Sequence, residues 1–469
     1  MNAITNTYTT QNSETITLIG AGLVGSLLAV LLAKKGYKVE IYERRQDMRK
    51  QDISAGRSIN LALANRGIYP LEQAGLMDKV TPILTSMKGR MVHNLSGEEN
   101  FQSYGQKPEE VIYSVSRGKL NKICMDAAEA TGLVKIYFEQ KCESVNFDNS
   151  TLQLKNEHDG ELIERHFDRV IGTDGSTSAV REAIHKIDSR QLDILQLGHS
   201  YKELRIPPGN NGEFRIDANS LHIWPRGGYM LIALPNEDAS FTVTLFMPNE
   251  GRISFDKIDS IDEVHYFFET YFGDTLKLLP DLETDFFENP TGHLATVKCS
   301  PWHYKDQALL MGDAAHAVVP FHGQGMNCGF EDALDLVETI DALSEKGGDL
   351  NWQSVFAQSD ENRKINGDAI ADMAIENYIT MRDSVRDENF LLRSALAFEL
   401  ENRFPERFCP RYSMVMFHRL PYSQAKQRGA IQEDILHCLT NDITDIAEVD
   451  FNAAEKLILE KLSVVELNP

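Results

Sequence analysis

Thr15 to Ile19, apolar and β-branched, predicts a short buried strand at the start of the patterned chain. The loop Gly20-Ala21-Gly22-Leu23-Val24-Gly25 follows it. An apolar run from about Val24 to Lys35 then predicts a helix, with Gly36 as its cap. Lys38 to Glu43 alternates polar and apolar positions, the period of a second strand. The chain therefore opens as a strand–helix–strand unit. Further on, a helix is expected over 115–135, around Leu120, Ile123 and Ala127, with strands over 136–146, 151–156 and 162–172. From about 190 to 290 the pattern changes to stretches such as Tyr229–Leu234 and Phe241–Phe246, which predict an antiparallel sheet. Ala308 to Met311 returns to the buried-strand pattern, and from Glu331 onward helical periodicity dominates. Residues 1–13, polar and rich in Thr and Asn, read as a frayed leader.

This order predicts an α/β fold in which a dinucleotide-binding domain opens, is interrupted by a different sheet, and resumes near residue 300. The expected division gives 14–85, 105–185 and 295–370 to the Rossmann-like domain. An antiparallel-sheet substrate domain takes 86–104 and 186–294, and a C-terminal helical region takes 371–469.

Gly20, Gly22 and Gly25 fit GxGxxG between a strand and a helix. The first glycine permits the tight turn, the second lets backbone approach a pyrophosphate, and the third permits close helix–strand packing. Glu43, at the end of the second strand, can accept from a ribose hydroxyl. Far downstream, Gly312-Asp313 ends another buried strand, where an Asp can hold a ribitol hydroxyl. Pro320 to Asn327 then brings backbone N–H groups to a helix start, which favours negative charge. Two distant glycine turns gripping one long cofactor point to FAD. Asp174-Gly175, followed by Arg181, reads on its own as a plain turn. Only one GxGxxG occurs, so a nicotinamide donor would have to dock transiently without a Rossmann unit of its own.

Composition narrows the classes. The chain has 469 residues, 42% of them hydrophobic and 25% charged, as in ordinary enzymes with more than one core. A net charge of −23 argues against nucleic-acid binding, because phosphates would be repelled. The cysteines at 124, 142, 299, 328, 409 and 438 form no CxxC pair, so no metal site is expected and a reducing, cytoplasmic setting fits. No secretory signal or membrane-spanning run is expected. His316 and His322 read first as packing or hydrogen-bonding residues. There is no Gly-x-Ser-x-Gly elbow to support a hydrolase. The tail after about Thr440 is expected to be a solvated helical extension.

GxGxxG, Asp174-Gly175 and Gly312-Asp313 together resemble the three fingerprints of flavin monooxygenases similar to para-hydroxybenzoate hydroxylase. Gly56 to Gly67, Pro320 to Cys328 and Glu376 to Asp383 narrow the resemblance to the kynurenine 3-monooxygenase family, over about residues 14 to 430. That resemblance implies FAD, bound tightly without a covalent link, and NADPH as a transient electron donor. The reaction it implies is L-kynurenine with NADPH and O2 to 3-hydroxykynurenine, through a C4a-hydroperoxide of the flavin. It also implies roles for particular residues. Arg90 and Tyr104 would clasp the substrate carboxylate, with Asn377 and Tyr412 completing the amino-acid end and Met381 lining the pocket. Phe321, His322 and Gln324 would position flavin and ring, leaving no obligatory catalytic base, since the aniline activates its own ring. The cofactor surface would add Leu23, Val24, Arg44, Arg57, Arg117, Asp174, Pro320, Gly323, Gly325, Met326 and Asn327 to Gly20, Gly22, Gly25, Glu43 and Asp313. Eukaryotic members carry a C-terminal membrane anchor; here Leu457 to Leu462 is broken by charge, so none is expected. A homodimer is left open. The rival readings are a related monooxygenase of another phenol or aniline, a flavin reductase or halogenase on the same scaffold, and a non-enzymatic flavin scaffold. The halogenase lacks its Trp-x-Trp-x-Ile signature among the tryptophans at 224, 302 and 352.

Overall fold

The computed structural model describes residues 14–50, 60–345, 350–381 and 388–467. Residues 1–13, Arg57 with the first four residues of the Gly56–Gly67 segment, and Arg382-Asp383 lie outside the described residues.

The first layer is a six-stranded sheet. Its order is His303–Tyr304, Ala308–Leu310, Arg169–Gly172, Thr15–Ile19, Lys38–Tyr42 and Val134–Tyr137. All neighbours run parallel except the edge hairpin His303–Tyr304 with Ala308–Leu310. Thr15–Ile19 lies centrally and is buried on both faces, as an uncharged stretch rich in β-branched residues allows. The helix Leu23–Lys34 is apolar all round and almost wholly buried beside this sheet. Residues from near both ends of the cofactor domain, Ile19 and Leu310 among them, share one core. The expected discontinuity is real in space.

Local differences have simple causes. The expected strand 136–146 is two strands, Val134–Tyr137 and Gln140–Asn146, because Glu139 turns the chain at φ 58°. The expected strand 162–172 likewise divides into Leu162–His166 and Arg169–Gly172. Gln140–Asn146, Thr151–Asn156 and Leu162–His166 form a separate three-stranded sheet. The expected helix 115–135 is Arg117–Ala130, entered from the strand Ile112–Ser116 and capped by the Ser116 hydroxyl.

The second layer is a seven-stranded sheet, with strand order Gly292–Ser300, Gln191–Ile206, Phe241–Pro248, Met230–Pro235, Ser220–Pro225, Gly89–His93 and Glu99–Ser103. It is antiparallel but for one pair, Ser220–Pro225 with Gly89–His93, which runs parallel. One face packs Trp224, Leu231 and Val243 against Phe267 and Phe268 of the helix Ile261–Tyr271. The other face carries Arg90, Leu221, Ile232 and Phe246, and Phe246 meets Phe321 of the cofactor domain.

Two expected boundaries shift. Gly292–Ser300 pairs with Gln191–Ile206 along its length, so the substrate sheet extends past residue 294. The boundary at 370 falls inside one continuous helix, Trp352–Ile379, which joins the cofactor domain to the C-terminal region. The tail corrects its expectation more sharply. Ala454, Ile458 and Leu462 lie at 0–2% exposure against Leu396, Leu400, Phe408 and Ile435. Their spacing of four places them on one stripe of the helix Phe451–Lys461 and its end, beneath the charges that mark its solvent face.

Candidate active site

The first glycine loop is prepared by what its residues lack. Gly20 holds φ 102°, and a Cβ there would lie 2.6 Å from the Thr173 carbonyl oxygen. A Cβ on Gly25 would lie 2.2 Å from the Gly20 carbonyl oxygen. A Cβ on Gly22, by contrast, meets nothing within 4 Å, so open space stands at the start of the helix Leu23–Lys34. That helix has no side-chain cap and no acid in its first turn, which leaves its N–H groups available to an anion. Glu43 ties the loop to the second strand: its carboxylate accepts from the Ala21 N–H at 2.8 Å and the Arg45 N–H at 2.9 Å. Asn121 holds the Ala21 carbonyl at 3.1 Å from the opposite side. Arg44 and Arg117 are exposed nearby in sequence, Arg117 opening its helix.

Val24 joins the two distant signatures. Cβ atoms on Gly312 and Gly329 would meet its Cγ2 at 3.1 and 2.5 Å. Leu23 beside it is buried. Gly312 adopts φ 55°, and its N–H donates to Asp332 Oδ2 at 3.0 Å. Asp332 also binds His316 Nε2 at 2.5 Å and Arg363 Nε at 2.8 Å. His316, Cys328 and Asp332 have the composition of a metal site. The Asp332 oxygens are instead taken up by His316, Arg363 and the Gly312 N–H, so the cluster acts as a buried ion-paired buttress. Burial alone would lower the His316 pKa, but the Asp332 carboxylate and Cys328 hold it well above the ordinary value. The buttress points Asp313 outward: its carboxylate side chain is exposed while Ala314 and Ala315 are fully buried.

The loop Pro320–Asn327 lies beside this turn. Gly323 supplies φ 64°. Asn327, fully buried, accepts from the Ala64 N–H at 3.0 Å and donates to the carbonyls of Ala62 and Gly323 at 2.9 and 2.8 Å. Gln324 is also fully buried, and its amide donates to the Met416 sulfur at 3.0 Å. Pro320 is exposed, Met326 is buried, and Gly325 begins the helix Gly325–Ser344, again without a side-chain cap or an early acid. Two bare helix starts, one open glycine and one outward carboxylate, all connected through Val24, fit an extended dinucleotide with a pyrophosphate and a ribitol. Asp174 has a different local task. Its Oδ2 accepts from the Ala179 N–H at 2.7 Å, at the start of the helix Ala179–Ile187 that Ser178 caps. Its Oδ1 is buried without a protein partner, and burial raises its pKa.

The residues expected at the substrate end come from the sheet and the C-terminal helices. Tyr104 and Tyr412 stack at 5.1 Å between ring centroids, 20° apart. Burial pushes the Tyr104 pKa up to about 12, with Arg90 pulling the other way. Burial and the neighbouring Tyr104 raise Tyr412 well above its ordinary value. Both rings are therefore neutral donors at neutral pH. Arg90 spends Nε on Gln102 Oε1 at 2.8 Å, and its guanidinium lies 5.9 Å from the Phe390 ring centroid. Its terminal nitrogens make no hydrogen bond among the described residues. His322 stacks on Tyr412 at 5.8 Å. Burial, with Arg411 and Arg66 nearby, presses its pKa down to about 4, so its imidazole is neutral. Phe321 stacks on Tyr378 at 4.1 Å. Asn377 donates to the Phe321 carbonyl at 2.6 Å and to the Met381 sulfur at 3.5 Å. Its NH2 group is thus committed to the loop, and only its Oδ1 is left for the amino-acid end expected of it.

Between loop and clasp runs an apolar wall that sequence reading missed. Leu221 and Ile232 are partly buried and touch both clusters, the one with Phe246 and Phe321 and the one with Tyr104 and Tyr412. Alternation marks them as strand positions but cannot say which sheet face meets a neighbouring domain.

The FAD binding domain family matches residues 13–350. The chain is 46% identical over 450 residues to a kynurenine 3-monooxygenase of Myxococcus xanthus, covering 96% of each. It is 44% identical over 454 residues to one of Stenotrophomonas maltophilia, covering 97% of this chain and 98% of that one. The chain belongs to the kynurenine 3-monooxygenase family. FAD is the cofactor of this family member, and the two helix starts described above fit it. Two solved structures share the fold. One is a tetrameric form of 2-methyl-3-hydroxypyridine-5-carboxylic acid oxygenase, at TM-score 0.64 and 18% identity over 80% of this chain and 94% of that one. The other is P. aeruginosa PqsL in complex with 2-aminobenzoylacetate, at TM-score 0.63 and 20% identity over 79% and 97%. Among the described residues, no helix is long and apolar enough to cross a membrane.

Proposed function

We propose that the chain hydroxylates L-kynurenine at the ring carbon ortho to the amino group, using NADPH and O2, in the cytoplasm. The observation that supports this reading is the gathering of Arg90, Tyr104 and Tyr412 at one end of an apolar wall whose other end is the loop Phe321–Asn327. A planar cation and two neutral phenols suit an α-amino acid carboxylate. Leu221, Ile232 and Phe246 suit the aromatic ring of the same molecule.

Held between the Gly20–Gly25 loop, Asp313 and the loop Pro320–Asn327, FAD would supply the redox chemistry, hydride acceptance from NADPH and activation of O2. The chain's own residues orient and dry the site. Arg90 would hold the carboxylate through its terminal nitrogens while Gln102 fixes the plane of the guanidinium. The apolar wall would set the ring at the loop and exclude water, without which hydrogen peroxide would escape in place of product. His322, neutral at working pH, offers an uncharged polar edge beside Tyr412. Bare helix starts at Leu23 and Gly325 would favour negative charge on a bound pyrophosphate and on a reduced flavin ring. Aerobic incubation with kynurenine and NADPH, followed by mass spectrometry, tests the reading. A product heavier by one oxygen is expected; NADPH oxidation with kynurenine left unchanged would refute it.

A further inference from the structure

Arg66 lies on the helix Asn65–Ala74 and is 1% exposed. A buried guanidinium is costly unless its donors are met. Here Nε donates to the Val415 carbonyl at 2.8 Å, and Nη2 donates to the carbonyls of Met414, at 3.1 Å, and Leu420. Nη1 donates to the Glu331 carboxylate at 3.0 Å, and the cation sits 4.0 Å from the centroid of the Tyr422 ring. Met414 and Val415 belong to the short helix Arg411–Met416, whose last carbonyls have no partner within it. That helix carries Tyr412. The Tyr422 hydroxyl in turn donates to Gln324 Oε1 at 2.7 Å, and Gln324 reaches Met416. One buried cation thus ties the loop facing the cofactor to the segment bearing a substrate-clasp tyrosine.

We propose that Arg66 is a positioning residue for the clasp, fixing Tyr412 relative to the loop Pro320–Asn327. The proposal rests on the function stated above. Lysine cannot replace it, because a point charge does not reproduce the planar fork that serves three carbonyls and a carboxylate.

The test uses the flavin-loaded protein with Arg66→Lys and Tyr422→Phe. Arg66→Lys should raise KM for kynurenine roughly tenfold or more, leave flavin content intact, lower kcat less, and release more peroxide per NADPH. Tyr422→Phe, which keeps the ring under the cation, should shift KM the same way by less. Hydrogen exchange without substrate gives an independent reading: peptides over 411–422 should exchange faster in Arg66→Lys, and those over 15–34 should not. Unchanged exchange at 411–422 would overturn the proposal whatever the substrate proves to be. A lowered Tm with an unmoved KM would overturn it too, leaving Arg66 a structural cation only. Wild-type protein inert toward kynurenine would refute the function instead, and the exchange comparison would still decide Arg66.

Discussion

The two ends of the site are made of different material. At the cofactor end the groups on offer are backbone N–H donors at the helix starts Leu23–Lys34 and Gly325–Ser344, cleared by glycines and fixed by strand geometry. At the proposed substrate end they are side chains, Arg90 on a strand, Tyr104 on a loop and Tyr412 on a short C-terminal helix, brought together by packing between domains. Backbone sites tolerate side-chain change and fail when a turn is blocked. A side-chain clasp can lose one member and leave the rest of the fold intact. Cofactor retention and substrate affinity should therefore separate under mutation.

The largest expected effect is at the clasp. Arg90→Ala should raise KM for kynurenine by about 30-fold to several thousand-fold, from the roughly 2–5 kcal/mol lost with a buried charged contact. Flavin per chain should stay constant; an unchanged KM would break the comparison. Asp313→Ala should give the opposite split. Losing a hydrogen bond from a charged group, about 1.5–3 kcal/mol, weakens flavin retention roughly tenfold to hundredfold. A preparation as yellow as wild type after gel filtration would contradict this.

The buried histidines, His322 between the two ends and His93 and His222 beside Trp224 in the sheet, should show in pH dependence. Burial holds His322 at about 4 and His93 at about 3, and lowers His222 as well, all from 6.5. The unfolded chain then takes up protons from about pH 6.5 downward, while the folded chain resists until near pH 4. Stability is complete above pH 6.5 and is lost as pH falls through that window, by an amount on the order of 1–3 kcal/mol for His322. Tm measured across this range should fall less steeply in His322→Gln than in wild type; equal slopes would exclude His322 as a source. The smallest effect belongs to the tail. Ile458→Val should cost about 0.5–1.5 kcal/mol in denaturant unfolding, with KM and flavin content unmoved. No loss of stability would return the tail to a solvated extension.

The same difference in material explains what the sequence makes legible. Gly20, Gly22, Gly25 and Glu43 sit in one short window, so spacing alone reveals the strand, turn, helix and acid. The interruption near 190 is visible because the hydrophobic period changes there. The parallel pair Gly89–His93 with Ser220–Pro225 is not, because register between strands so far apart is decided by domain packing. Arg90, Tyr104, Asn377 and Tyr412 are scattered polar residues whose expected role came only from resemblance. Asn121 looks like any polar position on a helix, although it holds the Ala21 carbonyl. The stripe Ala454, Ile458 and Leu462 is short and flanked by charge, and so reads as solvent-facing until its partners at 396–435 are seen.

The central claim is that a clasped amino acid and a bound flavin meet at Phe321 and His322. Titrating the oxidised, flavin-loaded protein with kynurenine, without NADPH, and recording the visible spectrum tests it directly. A saturable perturbation of the flavin bands is predicted in wild type, displaced to higher kynurenine in Arg90→Ala. A yellow protein whose spectrum stays flat at every kynurenine concentration would contradict it.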